Sequence, residues 1–152
     1  MVETTLGQIR FGQSDFAGAA ANFQDALAIH RHLAAAAPDD TGAESDVIVL
    51  LDDLGDTLAA EKDTGGAVKA YQEALGLARQ AAAAQLGAIG AVRAVAVQMA
   101  KLAAIPGAGV SWADIVAYIE GAQAKVTLTA DDQKWLDIYK SRAAQAAPGA
   151  VK

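Results

Sequence analysis

The feature that most constrains this chain is an internal repeat. Leu6-Gly7, Ala19, Phe23 and Ala26 return as Leu54-Gly55, Ala67, Tyr71 and Ala74, and the residue numbers differ by 48 in every pair. A fixed period of this length marks stacked supersecondary units, none of which can bury its apolar face alone. Helical periodicity runs between the matched positions. Ala19, Phe23, Ala26, Leu27 and His30 share one face, and Val47, Leu51, Leu54 and Leu58 share another. Each unit is therefore read as two antiparallel helices. Gly7 and Gly55 sit where the first helix meets the second, and a side chain there would push the pair apart. Ala19 and Ala67 are small for the same reason, Phe23 and Tyr71 fill the space one turn on, and Ala26 and Ala74 admit the next pair.

Composition agrees with close-packed helices. The chain is 53% hydrophobic, much of it alanine, and only 5% aromatic, which suits small-faced helices and not a β-sandwich. At 152 residues it is one domain by length, read as residues 1–146 with a flexible tail over 147–152. There is no cysteine, so neither disulfides nor thiolate metal sites are expected, and the reading is cytoplasmic. No basic region followed by an apolar run opens the chain. Ala81 to Ala104 has the length of a membrane span but carries Gln85, Arg93, Gln98 and Lys101, so no membrane helix is expected. A net charge of −6 argues against a nucleic-acid partner, whose phosphates call for basic patches.

In chain order, Thr4 to Gly12 reads as the end of a first helix. The residue matching Val47 would precede Met1, so this is either a fragment of a longer array or a shortened helix. Gln13-Ser14-Asp15 turns, with Ser14 as N-cap of a helix to about Ala37. Pro38-Asp39-Asp40 stops it, and Thr41 with Glu44 is a capping box for a helix to about Glu61. After a turn over Lys62 to Gly66, the fourth helix carries Ala67, Tyr71, Ala74, Leu75 and Ala78 to about Ala84. Gln85 to Gly90 reads as a turn or kink. The fifth helix bears Val95, Met99 and Leu102, and Pro106 to Gly109 ends it. Ser111 and Asp114 cap a sixth helix, Trp112 to about Gly121. Thr129 opens a last one, to about Ala146, with Trp135, Ile138, Tyr139 and Arg142 as its stripe. The third unit departs from the pattern. Ala103, Ile115 and Ile119 replace the glycine, the small alanine and the aromatic, so its helices should stand farther apart.

The Leu-Gly, Ala, aromatic, Ala pattern resembles the tetratricopeptide repeat, specifically over Thr4 to Ala84. The usual repeat is about 34 residues, and the longer period here is similar to bacterial and kinesin-light-chain-like variants. The resemblance implies an all-α, right-handed helical-hairpin solenoid of two clear repeats, a degenerate third and a C-terminal capping helix. It implies protein–protein interaction, with a peptide or partner helix in a concave groove. On the family's pattern Val49, Asp52, Asp56, Ala59 and Ala60 line that groove, with Asp53 beside it; Thr4 and Gln8 are the first-repeat equivalents, and Ala100 and Ala104 the third. The lysines, arginines and asparagine with which chaperone-binding members hold a peptide carboxylate are missing at these positions. An acidic patch beside an apolar floor suits a basic, partly apolar peptide; the alternative is that the aspartates form a solvated face. Two other readings stay open: a sensor or adaptor segment of a larger bacterial effector, and a scaffold that self-associates through its open N-terminal end.

No catalytic set, cofactor or metal is expected. His30 and His32 point to opposite sides of a helix and cannot share a metal. His30 reads as an inter-repeat histidine, with a ligand or base as the alternative. No Ser-His-Asp set and no phosphate loop after a strand is legible. Trp112 and Trp135 either pack the C-terminal cap or are exposed binding anchors. Asp131 and Asp132 serve the positive end of the last helix.

Overall fold

The structure is a computed structural model that describes residues 2–37, 41–85 and 87–146, apart from the side chain of Thr41. The Pro38 to Asp40 stop, the Thr41 capping box and the 147–152 tail lie outside the described residues. Seven helices run through those residues: α1 (Val2–Gly12), α2 (Phe16–Ala36), α3 (Thr41–Ala60), α4 (Thr64–Ala84), α5 (Ile89–Ala103), α6 (Trp112–Ala122) and α7 (Ala130–Ala146). There is no strand among the described residues. The protein is all-helical with adjacent helices packed, and it divides into two compact units, Met1–Ala78 and Arg79–Lys152.

In the first unit the repeat is a repeated contact. Gly7 is buried, and a Cβ added there would lie 2.7 Å from Phe23 Cε1. Gly55 is buried too, and a Cβ there would overlap the same ring atom of Tyr71. The rings sit directly on the glycines, so a hydrogen in place of a methyl group is what lets each hairpin close. Ala19 and Ala67 are wholly buried beside them. Between the hairpins, α2 packs on α3 through Phe23, Ala26, Leu27, Val47, Leu50 and Leu51, with Leu58 and Ala34 at the margin.

The two hairpin turns also close on corresponding bonds. Asp15 N–H donates to the Arg10 carbonyl at 2.9 Å, and Asp63 N–H to the Leu58 carbonyl at 2.9 Å. Ser14 (φ +63°) and Lys62 (φ +69°) both take the left-handed conformation that reverses the chain. Ser14 is therefore not the N-cap. Asp15 is, accepting from Gly18 N–H at 3.0 Å, and Asp63 accepts from Gly66 N–H at 2.9 Å. A residue committed to the left-handed turn cannot also take the extended backbone of a cap, so the cap moves one residue on. Asp63 also starts α4 at Thr64, inside the stretch read as turn.

The second unit is built differently. Val95, Met99 and Leu102 of α5 are buried with Ile115 and Ile119 of α6 and with Leu136 and Tyr139 of α7. With Ala103 and Ile119 in place of glycine and ring, α5 and α6 pack more sparsely than α1 and α2. Gly107 (φ +83°) and Gly109 (φ +81°) carry the chain out of α5. Ser111 and Asp114 form a reciprocal capping box on α6. Thr129 caps α7 in the same way: its N–H donates to Asp132 Oδ2 at 2.8 Å, and Asp132 N–H to Thr129 Oγ1 at 3.3 Å.

The stripe of α7 is corrected. Leu136 and Tyr139 are buried, whereas Trp135 is 56% and Ile138 42% exposed. Both sets have helical spacing, one residue out of phase. Tyr139 keeps its expected place, Leu136 replaces Trp135 and Ile138 as its buried companion, and Asp132, on the same face, is bonded to Arg93 of α5. Arg93 Nε donates to Asp132 Oδ1 at 2.6 Å and Nη2 to Oδ2 at 2.9 Å.

Candidate partner-binding surfaces

One face of α3 carries the expected groove residues of the first unit. Val47, Leu50, Leu51 and Leu54 turn inward with Ile48 packed beside them, and Val49 turns out. Val49 is 55% exposed, Ala59 and Ala60 are exposed, and Asp52, Asp53 and Asp56 are half-buried. Val49 and Thr4 meet around a hollow of about 250 Å³ that also involves Thr5, His30, Asp46 and Leu50. Thr4 is the first-repeat equivalent of Asp52, so corresponding faces of α1 and α3 come together here. Ala100 and Ala104 belong to the second unit, where Ala100 is half-buried and Ala104, just past the end of α5, is exposed.

The aspartates differ among themselves. Asp56 Oδ1 accepts from the Tyr71 hydroxyl at 2.6 Å, so it holds the ring that packs on Gly55. Burial, that hydrogen bond and the charges of Asp56 and Asp52 push the phenol far above its ordinary value, so Tyr71 remains a donor. The carbonyl of Asp53 accepts from the Thr57 hydroxyl at 2.7 Å, which satisfies a wholly buried threonine. Periodicity put these residues on one face. It could not show that Asp56 bonds a ring fifteen residues away.

A second concavity, of about 440 Å³, lies among α5, α6 and α7. Val92, Ala96, Val97, Ile119, Trp135 and Tyr139 supply apolar walls, and Arg93, Thr129 and Asp132 a polar end. The Arg93 and Thr129 bonds hold the Asp132 carboxyl well below the usual carboxylate range, and Asp132 in turn raises Arg93. Asp131 pairs with Lys134 at 2.8 Å. The two tryptophans part company. Trp112 is half-buried, stacked on Tyr139 with ring centroids 6.0 Å apart, and covered by the Arg142 guanidinium at 4.5 Å. Trp135 stacks on the same tyrosine at 6.3 Å but leaves more than half its surface open at the cleft.

His30 Nδ1 of α2 lies 3.3 Å from Asp46 Oδ2 of α3 without the geometry of a hydrogen bond, while His32 is exposed. No group of three His, Cys, Asp or Glu side chains that could hold a metal occurs among the described residues. No described helix is long and apolar enough to cross a membrane. Comparison with protein-family models, with curated proteins and with solved structures finds no match.

Proposed function

We propose that this chain is a protein-interaction module built from tetratricopeptide-like hairpins, and that the α1/α3 face of its first unit holds a basic, partly apolar peptide or helix. The observation that carries this reading is the exposed Val49 beside the Thr4 hollow, on an α3 face that also bears Asp52 and Asp56. An apolar side chain of the partner would fill the hollow and cover Val49, and its lysines or arginines would lie along the aspartates. Exposed ion pairs contribute only about 0.2–1 kcal/mol each. Apolar contact would therefore supply affinity, and charge would supply selectivity and faster encounter.

The test is selection of peptides from a random displayed library on the whole protein, then titration of the enriched sequences. Basic, aliphatic-rich peptides should emerge. Val49→Glu should weaken them at least about tenfold, the equivalent of about 1.4 kcal/mol. Asp52→Lys should weaken them more at low than at high salt. Acidic winners, or affinity that ignores both variants, would move the binding surface elsewhere.

Self-association is a second reading, favoured by α1. Val2, Leu6 and Ile9 form a helical stripe with exposures of 68%, 42% and 50%. Ile29 and Leu33 of α2 are likewise about half exposed (47% and 50%). Sedimentation should then show mass rising with concentration, and Leu6→Glu should stop the rise; a constant monomer mass removes this reading.

A further inference from the structure

A third cavity, of about 450 Å³, lies in the second unit around the start of α5 and the end of α6. Its walls are mostly small: Ala82, Ala88, Ala91 and Ala117, with Val92, Val126 and Tyr118 the larger apolar members. The charged residues lining it are Arg79 and Lys125, with no carboxylate among the lining. Neither cation forms an ion pair among the described residues, and both are exposed. The other arginines are all engaged. Arg10 meets Asp15, Arg31 meets Glu73, Arg93 meets Asp132, and Arg142 lies over Trp112. Arg79 is thus the one arginine among the described residues with neither a carboxylate partner nor a ring stacked beneath it, and its charge acts on the Tyr118 phenol beside it.

The start of α5 brings positive potential to this cavity, and the ends of α4 and α6, which line it through Ala82, Ala83, Gly121 and Ala122, bring negative potential that opposes it. Ala88 is the N-cap of α5, it offers no side-chain acceptor, and no acidic residue stands in the first turn. At α6 and α7 an aspartate, Asp114 or Asp132, fills that place. Gly87 (φ +86°), Ala88 and Ala91 all line the cavity. Arg79 and Lys125 therefore carry the positive character of this apolar hollow, beside the uncapped start of α5, in a chain whose net charge is −6. The volume falls within the roughly 300–1,000 Å³ of small-molecule sites.

We propose that this cavity binds a small amphipathic carboxylate, with its head on Arg79, Lys125 and the opening turn of α5 and its apolar body against the alanines, Val126 and Tyr118. Such a ligand supplies the missing negative charge and excludes water from the apolar wall in one step. The site is independent of the α3 surface, and its test stands apart from the peptide selection.

The experiment is an amide-resonance titration of the full chain with octanoate, with octanol and octylamine as controls. Octanoate should give saturable shifts at Gly87, Ala91, Tyr118 and Ala122, at least about tenfold tighter than octanol, as charge-assisted bonds require; octylamine should not saturate there. Arg79→Glu with Lys125→Glu, and separately Ala117→Leu, which fills the hollow, should each lower octanoate affinity by about tenfold or more. Equal binding of octanol and octanoate by the unmodified chain overturns the proposal, and needs no variant to fold. So do shifts confined to the α5–α7 cleft, absence of saturation at millimolar octanoate, or unchanged affinity in a folded charge variant.

Discussion

Two glycines of helical conformation test the hairpin contact at the scale of the residue. Glycine in a helix interior is ordinarily about 1 kcal/mol worse than alanine. At Gly76 of α4 nothing lies within 4 Å of an added Cβ, so Gly76→Ala should stabilise by up to about 1 kcal/mol. At Gly55 the same change drives a methyl group into a Tyr71 ring that Asp56 holds in place, so Gly55→Ala should destabilise by about 1–3 kcal/mol. Tyr71→Phe keeps the ring and deletes the bond to Asp56, a loss of about 1.5–3 kcal/mol for a hydrogen bond to a charged group. Tyr71→Ala should cost more, about 3–5 kcal/mol, by emptying a buried site. Urea midpoints of the four variants give the order; Gly55→Ala equal to Gly76→Ala would mean that the ring does not rest on Gly55. The glycines and rings were legible because their spacing recurs. The tyrosine–aspartate bond was not, since Phe23 cannot make its counterpart.

Caps and latches decide how each element is seated. Thr129→Ala removes the cap of α7 and one acceptor of Arg93, and should cost about 0.5–2 kcal/mol. The Arg93–Asp132 latch adds a pH signature. Asp132 has a folded value held below its ordinary one, so the unfolded chain takes up its proton first as pH falls. Its contribution is complete above the unfolded carboxylate value of about 4 and is lost progressively below it. The stability difference between the parent and Asp132→Asn should therefore be level from neutral pH to about pH 5 and shrink in more acid solution. A difference that grows on acidification would contradict the latch. The capping pair Ser111/Asp114 was readable because a cap spans four residues; Thr129 and Asp132 were placed at the start of α7, and their reciprocal bonds came with the structure. Asp15 and Asp63 have the same spacing from Gly18 and Gly66, but their place in the repeat becomes plain only when both turns are seen to share one set of bonds.

For the molecule as a whole, the two compact units should open separately. Leu51 is 1% exposed in the first unit and Leu102 0% in the second. Leu51→Ala and Leu102→Ala should each destabilise by about 2–5 kcal/mol. Native-state hydrogen exchange should locate the damage: Leu51→Ala should speed exchange mainly within Met1–Ala78, and Leu102→Ala mainly within Arg79–Lys152. Uniform acceleration by either variant would show one cooperative body.

What the sequence determined by itself is what repeats or what is local. Gly7 with Phe23, and Gly55 with Tyr71, lie sixteen residues apart within one hairpin, so the offset marked all four as packing positions, although only the fold set each ring directly on its glycine. The Ser111/Asp114 cap and the buried stripe of α5 are local in the same sense. Tertiary structure alone decided the rotation of α7. Its large apolar residues Trp135 and Ile138 suggested one face, and packing in the fold buried the neighbouring one, Leu136 with Tyr139, where Asp132 also meets Arg93, thirty-nine residues away. It also decided which charges found partners. Arg93 and Arg79 look alike in a string of alanines. One meets an aspartate across a helix packing and the other does not, because pairing depends on which faces the folded helices bring together.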